Sequence, residues 1–102
     1  MDDKQFIDAF TAAGGWFIAN YYEIIADYRG ENKELALLIF EGGTDSKITG
    51  TMTRVSSVKR IIEGGRQVDA LVKIRDSKSI ARLHPESSKI ASNILKDRFN
   101  VL

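Results

Sequence analysis

Three Gly-Gly pairs, at positions 14–15, 42–43 and 64–65, punctuate this chain. Each follows a stretch of periodically placed apolar residues, where a residue free to take positive φ closes a helix. The intervals between pairs are 28 and 22 residues, and the flanking residues do not repeat, so the pattern is punctuation rather than a repeat array. With 102 residues, a single proline (Pro85) and no low-complexity tract, the chain reads as one globular domain over 1–102 with no linker.

The segments between these breaks read mostly as helices. Residues 3–13 place Phe6, Ile7, Phe10 and Ala13 on one face, with Asp2 or Asp3 available as a cap. Residues 16–29 are apolar on most sides, as expected of a central helix packed by several neighbours, and Gly30 ends them. Residues 32–41 carry the run Leu35 to Phe40, with Asn32 as a cap. After a polar stretch, Thr44 to Thr51, a helix over about 53–63 presents Val55, Val58, Ile61 and Ile62. It forms a hairpin with 66–76, which buries Val68, Ala70, Leu71, Val72 and Ile74. Pro85 opens a last helix with Glu86 at its positive end, Lys96 and Arg98 at its negative end, and an apolar stripe through Ile90, Ala91, Ile94, Leu95 and Phe99. The expected fold is therefore all-α, a compact bundle of five to six helices. The alternative is α+β: six consecutive apolar residues also suit a buried strand, and Leu35–Glu41 would pair with the β-branched Lys47–Val55 as a β-hairpin at about 35–55.

Composition narrows the function. A hydrophobic share of 43% beside 28% charged residues belongs to a folded protein rather than a disordered one. The absence of Cys removes disulfides, thiolate metal sites and cysteine nucleophiles, and fits a cytoplasmic location. No apolar run reaches the roughly 18 residues of a membrane span, and Met1-Asp2-Asp3-Lys4 does not open a signal peptide. The net charge of +1 hides a split: residues 1–43 hold three basic against eight acidic residues (−5), residues 44–102 twelve against six (+6). Such asymmetry marks either an anionic partner for the second half or two halves that neutralise each other.

No catalytic constellation is legible. His84, the only histidine, precedes Pro85 and reads as a helix-entry residue, with neither convergent metal ligands nor a triad around it. Asp2-Asp3 and the Glu23/Asp27 pair suit solvated faces better than acid–base work. No metal, cofactor or enzymatic activity is expected. The segment 42–54 is the most suggestive: rich in Gly and hydroxyls, it carries Lys47 and leads to Arg54 at a helix start, a place for a phosphate or carboxylate. It lacks the Gly-Lys-Ser/Thr of a phosphate loop, and an internal pairing of Arg54 with Asp45 or Glu41 is the plain alternative. Gly65–Leu71 resembles the start of the second helix of a tetratricopeptide repeat, with Ala70 at the small-residue position, over about a tenth of the chain; lacking the repeat's aromatic positions and a second copy, it implies no function.

The functional expectation is a small non-enzymatic binding or regulatory protein acting by stoichiometric protein–protein contact, as an inhibitor, an antitoxin or an accessory subunit does. Self-association as a homo-oligomer is expected through Trp16, Phe17, Tyr21 and Tyr28, since a 16–29 helix so apolar exceeds what a small bundle readily covers. Partner or anion contacts fall to Lys47, Arg54, Lys59 and Arg60. The alternative is nucleic-acid binding, by phosphate-backbone contact through the basic second half. Sequence-specific reading is poorly served, because Asp69 and Asp76 crowd the helix that would enter the groove.

Overall fold

The computed structural model describes residues 1–102 as seven helices: α1 (Asp3–Ala13), α2 (Gly15–Asp27), α3 (Asn32–Phe40), α4 (Ile48–Glu63), α5 (Gln67–Arg75), α6 (Lys78–Leu83) and α7 (Pro85–Phe99). No strand is present. The all-α expectation holds, and the β-hairpin at 35–55 is overturned, because α3 and α4 occupy both of its arms.

α2 is the organising helix. It touches α1, α4, α5 and α7, and buries Phe17, Ile18, Ala19, Tyr22 and Ile25 around more than half of its circumference. α3 packs on α4, while α6 lies against α5 and α7. The core formed between them includes Leu35 and Ile39 of α3, Val55, Val58 and Ile61 of α4, Ala70, Leu71 and Ile74 of α5, and Ala91, Ile94 and Leu95 of α7.

Helix ends follow the local chemistry. Asp2 caps α1 by accepting from the Gln5 amide, while the Gln5 side chain accepts from the Asp2 amide. α3 uses Glu31 as its cap, one residue before the expected Asn32. Each Gly-Gly pair supplies one residue of positive φ: Gly14 (85°), Gly43 (87°) and Gly65 (71°). At Gly14 the constraint is double, because α1 ends and α2 begins there with no intervening residue, and a Cβ would stand 3.0 Å from Arg54 Nη1.

Two expectations required correction. α6, absent from the five-to-six helix count, is only six residues long and buries no residue fully. Its sole partly buried apolar anchor is Ile80, too little for a periodic signal; Ser77 caps it through the Ile80 amide at 3.2 Å. It stops at His84, held out of helical geometry (φ −139°, ψ 65°) by the following proline.

The second correction is to α4, which begins at Ile48 rather than about 53 and takes up much of the expected polar loop. Several of its hydroxyls bond within the chain. Thr53 and Ser57 donate to the carbonyls four residues back, at 3.0 and 2.8 Å, and Thr51 is wholly buried. The Asp45 side chain lies against the first turn, 3.3 Å from where a Cβ on Gly50 would be, so a carboxylate meets the positive end of the helix.

Phe17, fully buried at the centre of α2, tests this architecture. Phe17→Ala is expected to cost about 3–5 kcal/mol of unfolding free energy in a denaturant titration, a large part of the margin of a domain this size. Tyr22 offers a pH test. Burial pushes its phenol above the ordinary 10.0; Arg98 works in the opposite direction, and Asp27 and Glu23 reinforce the rise. A group whose pKa rises on folding contributes stability that is complete below the unfolded value and lost as pH climbs through the folded one. Unfolding free energies measured across about pH 9–11 should therefore fall more steeply for the native chain than for Tyr22→Phe, which keeps the ring but cannot ionise.

Candidate functional site

The loop between α3 and α4 is short, and the side chains of Thr44 and Asp45 in it are bonded within the chain. Asp45 accepts from Thr51 Oγ1 at 2.8 Å and from Arg54 Nε at 3.1 Å. Arg54 stands in the second turn of α4, not at its start. Its Nη1 donates to the Ala13 carbonyl at 2.6 Å, one of the acceptors that the last turn of α1 leaves open. The flat guanidinium rests against the rings of Trp16 (5.4 Å) and Phe17 (5.8 Å), which a point-charge ammonium could not match. Thr44 donates to the Ile39 carbonyl at 3.2 Å, and its hydroxyl lies 3.5 Å from that of Tyr21. Arg54 thus joins α1, α2, α4 and the loop; the anion expected beside it is supplied by the chain's own Asp45.

Part of the basic second half is likewise paired within the chain. Arg66 Nη2 bonds Asp3 at 3.1 Å and Arg98 Nη2 bonds Asp27 at 3.0 Å, so two cations of residues 44–102 meet carboxylates of residues 1–43. Arg98 also stands 3.7 Å from Glu23, and Arg66 bonds Asp69 of its own helix. Hydrogen bonds to these carboxylates raise the pKa of both guanidinium groups. Lys47, Lys59 and Arg60 form no ion pair. Lys47 precedes α4, however, and Arg60 lies 13 residues further along it, about 20 Å away at 1.5 Å per residue, so they do not make one patch.

The aromatic set is divided. Phe17 is sealed in the core and cannot face a partner. Trp16, Tyr21 and Tyr28 are half-buried: Trp16 is covered by Arg54, and the Tyr21 ring packs on Phe17 at 4.8 Å. Tyr28 and Glu34 both crowd Gly30, each with an atom within 3 Å of where a Cβ would stand.

The large apolar residues that do face water are others. Ile24 is 52% exposed, one turn before Tyr28, and on α3 Leu37 is 49% and Leu38 60% exposed. Glu34, Leu38 and Glu41 follow one another at i, i+4 and i+7, so they share one face of α3. This stripe, a leucine between two carboxylates with Ile24 and Tyr28 on the preceding helix, is the candidate site. Its signal was present in the Leu35–Phe40 run, which holds more apolar residues than one face of a helix can bury.

Two open clefts complete the surface. One, of about 340 Å³, is lined by Asn20, Leu83, His84, Pro85, Glu86 and Ser87; there Asn20 Nδ2 donates to the Trp16 carbonyl (2.7 Å) and to Ser87 Oγ (3.1 Å). The other, of about 370 Å³, lies among Phe10, Lys73, Asp76, Ser77 and Ile80. No group of three His, Asp or Glu side chains converges as a metal site would require, and no helix is long and apolar enough to cross a membrane. No family model, curated protein or solved structure matches this chain.

Arg54→Gln is expected to lower unfolding free energy by about 2–3 kcal/mol, because Asp45 and the Ala13 carbonyl both lose a charged donor. Arg54→Lys should recover less than half of that loss, since an ammonium cannot span both acceptors and lie flat on the rings. Thermal or denaturant melts of the two variants check both statements.

Proposed function

We propose that this protein acts by stoichiometric binding of another polypeptide, as an inhibitor, antitoxin or accessory subunit does, through the outward face of α2 and α3. The supporting observation is the exposure of Ile24, Leu37 and Leu38 on two consecutive helices. Burying an exposed aliphatic side chain of this size in a partner's surface stabilises a complex by about 1.5–3 kcal/mol at most, so two or three of them form a usable centre for an interface. Glu34 and Glu41 then make its polar rim, which favours a partner of opposite charge.

The earlier expectation that 16–29 carries the contact thus moves from its aromatic residues to Ile24 and the neighbouring α3. The basic side chains become secondary, because Arg54 is taken up by Asp45 and the carbonyl of Ala13.

Leu38→Glu and Ile24→Glu test this reading. Both sites are more than half exposed, so melting should stay within about 0.5 kcal/mol of the native chain. Complexes recovered by cross-linking in the native host should be lost with Leu38→Glu and weakened with Ile24→Glu. Retention of every complex by both variants would sink the α2–α3 reading.

A further inference from the structure

α6 is held to the rest of the molecule by one apolar side chain. Of its six residues only Ile80 is partly buried; the others face water, and none of their side chains pairs with another helix. A helix this short does not persist on its own, because the few hydrogen bonds it closes do not offset the ordering of its first turn. Its formation therefore depends on where Ile80 sits. That seat is made by Phe10 of α1, Gly15 of α2 and Ile74 of α5: a Cβ on Gly15 would stand 2.5 Å from Ile80 Cδ1 and 3.5 Å from both Phe10 Cζ and Ile74 Cγ1. Gly15 has no positive φ and belongs to α2, where alanine is the better helix former. Its backbone does not call for glycine; the close approach of Ile80 does.

The two ends of this segment are fastened without α6. Ser88 of α7 donates to the Ile74 carbonyl at 3.4 Å, and Asn20 of α2 donates to Ser87 at 3.1 Å. The last turn of α5 and the first turn of α7 are thus held side by side, so residues 76–84 loop out and back with no distance to bridge. We propose that α6 is a strap latched by Ile80, which lifts off its seat as one unit while the rest of the fold stays intact. Its hinges are Asp76–Ser77, after α5, and His84–Pro85, where proline already interrupts the helix. Ile80 walls the cleft of about 370 Å³ and Leu83 the one of about 340 Å³, so lifting takes one wall from each and extends the first down to Ile74. The lifted form is a minor state in exchange with the closed one, and it is independent of the α2–α3 binding face.

Hydrogen exchange followed by NMR tests this device. The amides of Ala81 and His84 are bonded to the carbonyls of Ser77 and Ile80. In the native chain both are expected to exchange at least about 100-fold faster than the central amides of α2 and α5, after correction for intrinsic rates. Their rates should depend little on denaturant, since little surface is exposed. Gly15→Ala pushes a methyl against Ile80 Cδ1 and should speed both amides by about a further tenfold, while those of α5 and α7 keep their native rates. Ile80→Val, which trims the latch by that Cδ1 methyl, should also speed them, and adding Gly15→Ala to it should bring no further acceleration. Equal exchange of Ala81, His84 and the central amides of α5 in the native chain would mean that α6 opens only with the whole fold, and the inference falls. It falls equally if Gly15→Ala leaves the two amides unchanged, or accelerates them as much on the Ile80→Val background, because Ile80 is then not the latch.

Discussion

A helix contacted by four others keeps only one narrow face for water. α2 is in that position, between α1, α4, α5 and α7, and much of the remaining architecture follows from it. Its neighbours must bring apolar faces to it from several directions, which is why the core extends from Phe6 in α1 to Leu95 in α7 without a second centre. Its own start must also be abrupt. Gly14 ends α1 and begins α2 in one residue, and no other residue type fits there at low strain, given φ 85° and the nearby Arg54 guanidinium.

Arg54 makes that junction hold. Where α1 stops, its last carbonyls lose their helical partners; Arg54 satisfies the one on Ala13 while its plane covers the first aromatic rings of α2. Asp45 fixes the guanidinium from the other side and lies against the first turn of α4, where a carboxylate is favoured. One side chain thereby couples the α1–α2 junction to the α3–α4 loop. Ion pairs elsewhere, such as Arg98 with Asp27 and Arg66 with Asp3, bind the acidic first half to the basic second half at the surface, where each contributes little.

The proposed binding face follows from what α2 leaves over. α3 reaches the core through one face only, with Leu35, Ala36 and Ile39 inward, so its remaining leucines have nothing inside the molecule to cover them. Leu38 is flanked by Glu34 and Glu41, which keeps the surface hydrated and also selects the sign of what can approach it. α6 is anchored through Ile80 alone among its apolar side chains, so nearly all of its surface remains outward.

The sequence by itself determined the parts of the structure governed by short-range rules. The extents of α1, α5 and α7 and the start of α2 follow from apolar periodicity, from the Asp2 cap, from the glycine pairs and from Pro85, all interactions within about four residues, whereas α2 stops at Asp27, short of the expected Gly30. The surplus of leucine in 35–40 was also visible there, although which of those residues would face water was not. Tertiary structure decided the rest. Whether 35–55 is strand or helix could not be read from a run of β-branched residues; it was settled by the packing of α3 on α4 and of α4 on α1 and α2, and by Asp45, whose contacts with Thr51 and Arg54 span six and nine residues. The sequence left Arg54 open between an external anion and a pairing with Asp45 or Glu41; its second acceptor, the Ala13 carbonyl, is 41 residues away and was not visible there. The charge split left open whether the two halves neutralise each other, because the carboxylates that meet Arg66 and Arg98 lie 63 and 71 residues distant. In each case the partner that fixed a residue's role came from another helix, and no local pattern encodes a contact that exists only once the helices have packed.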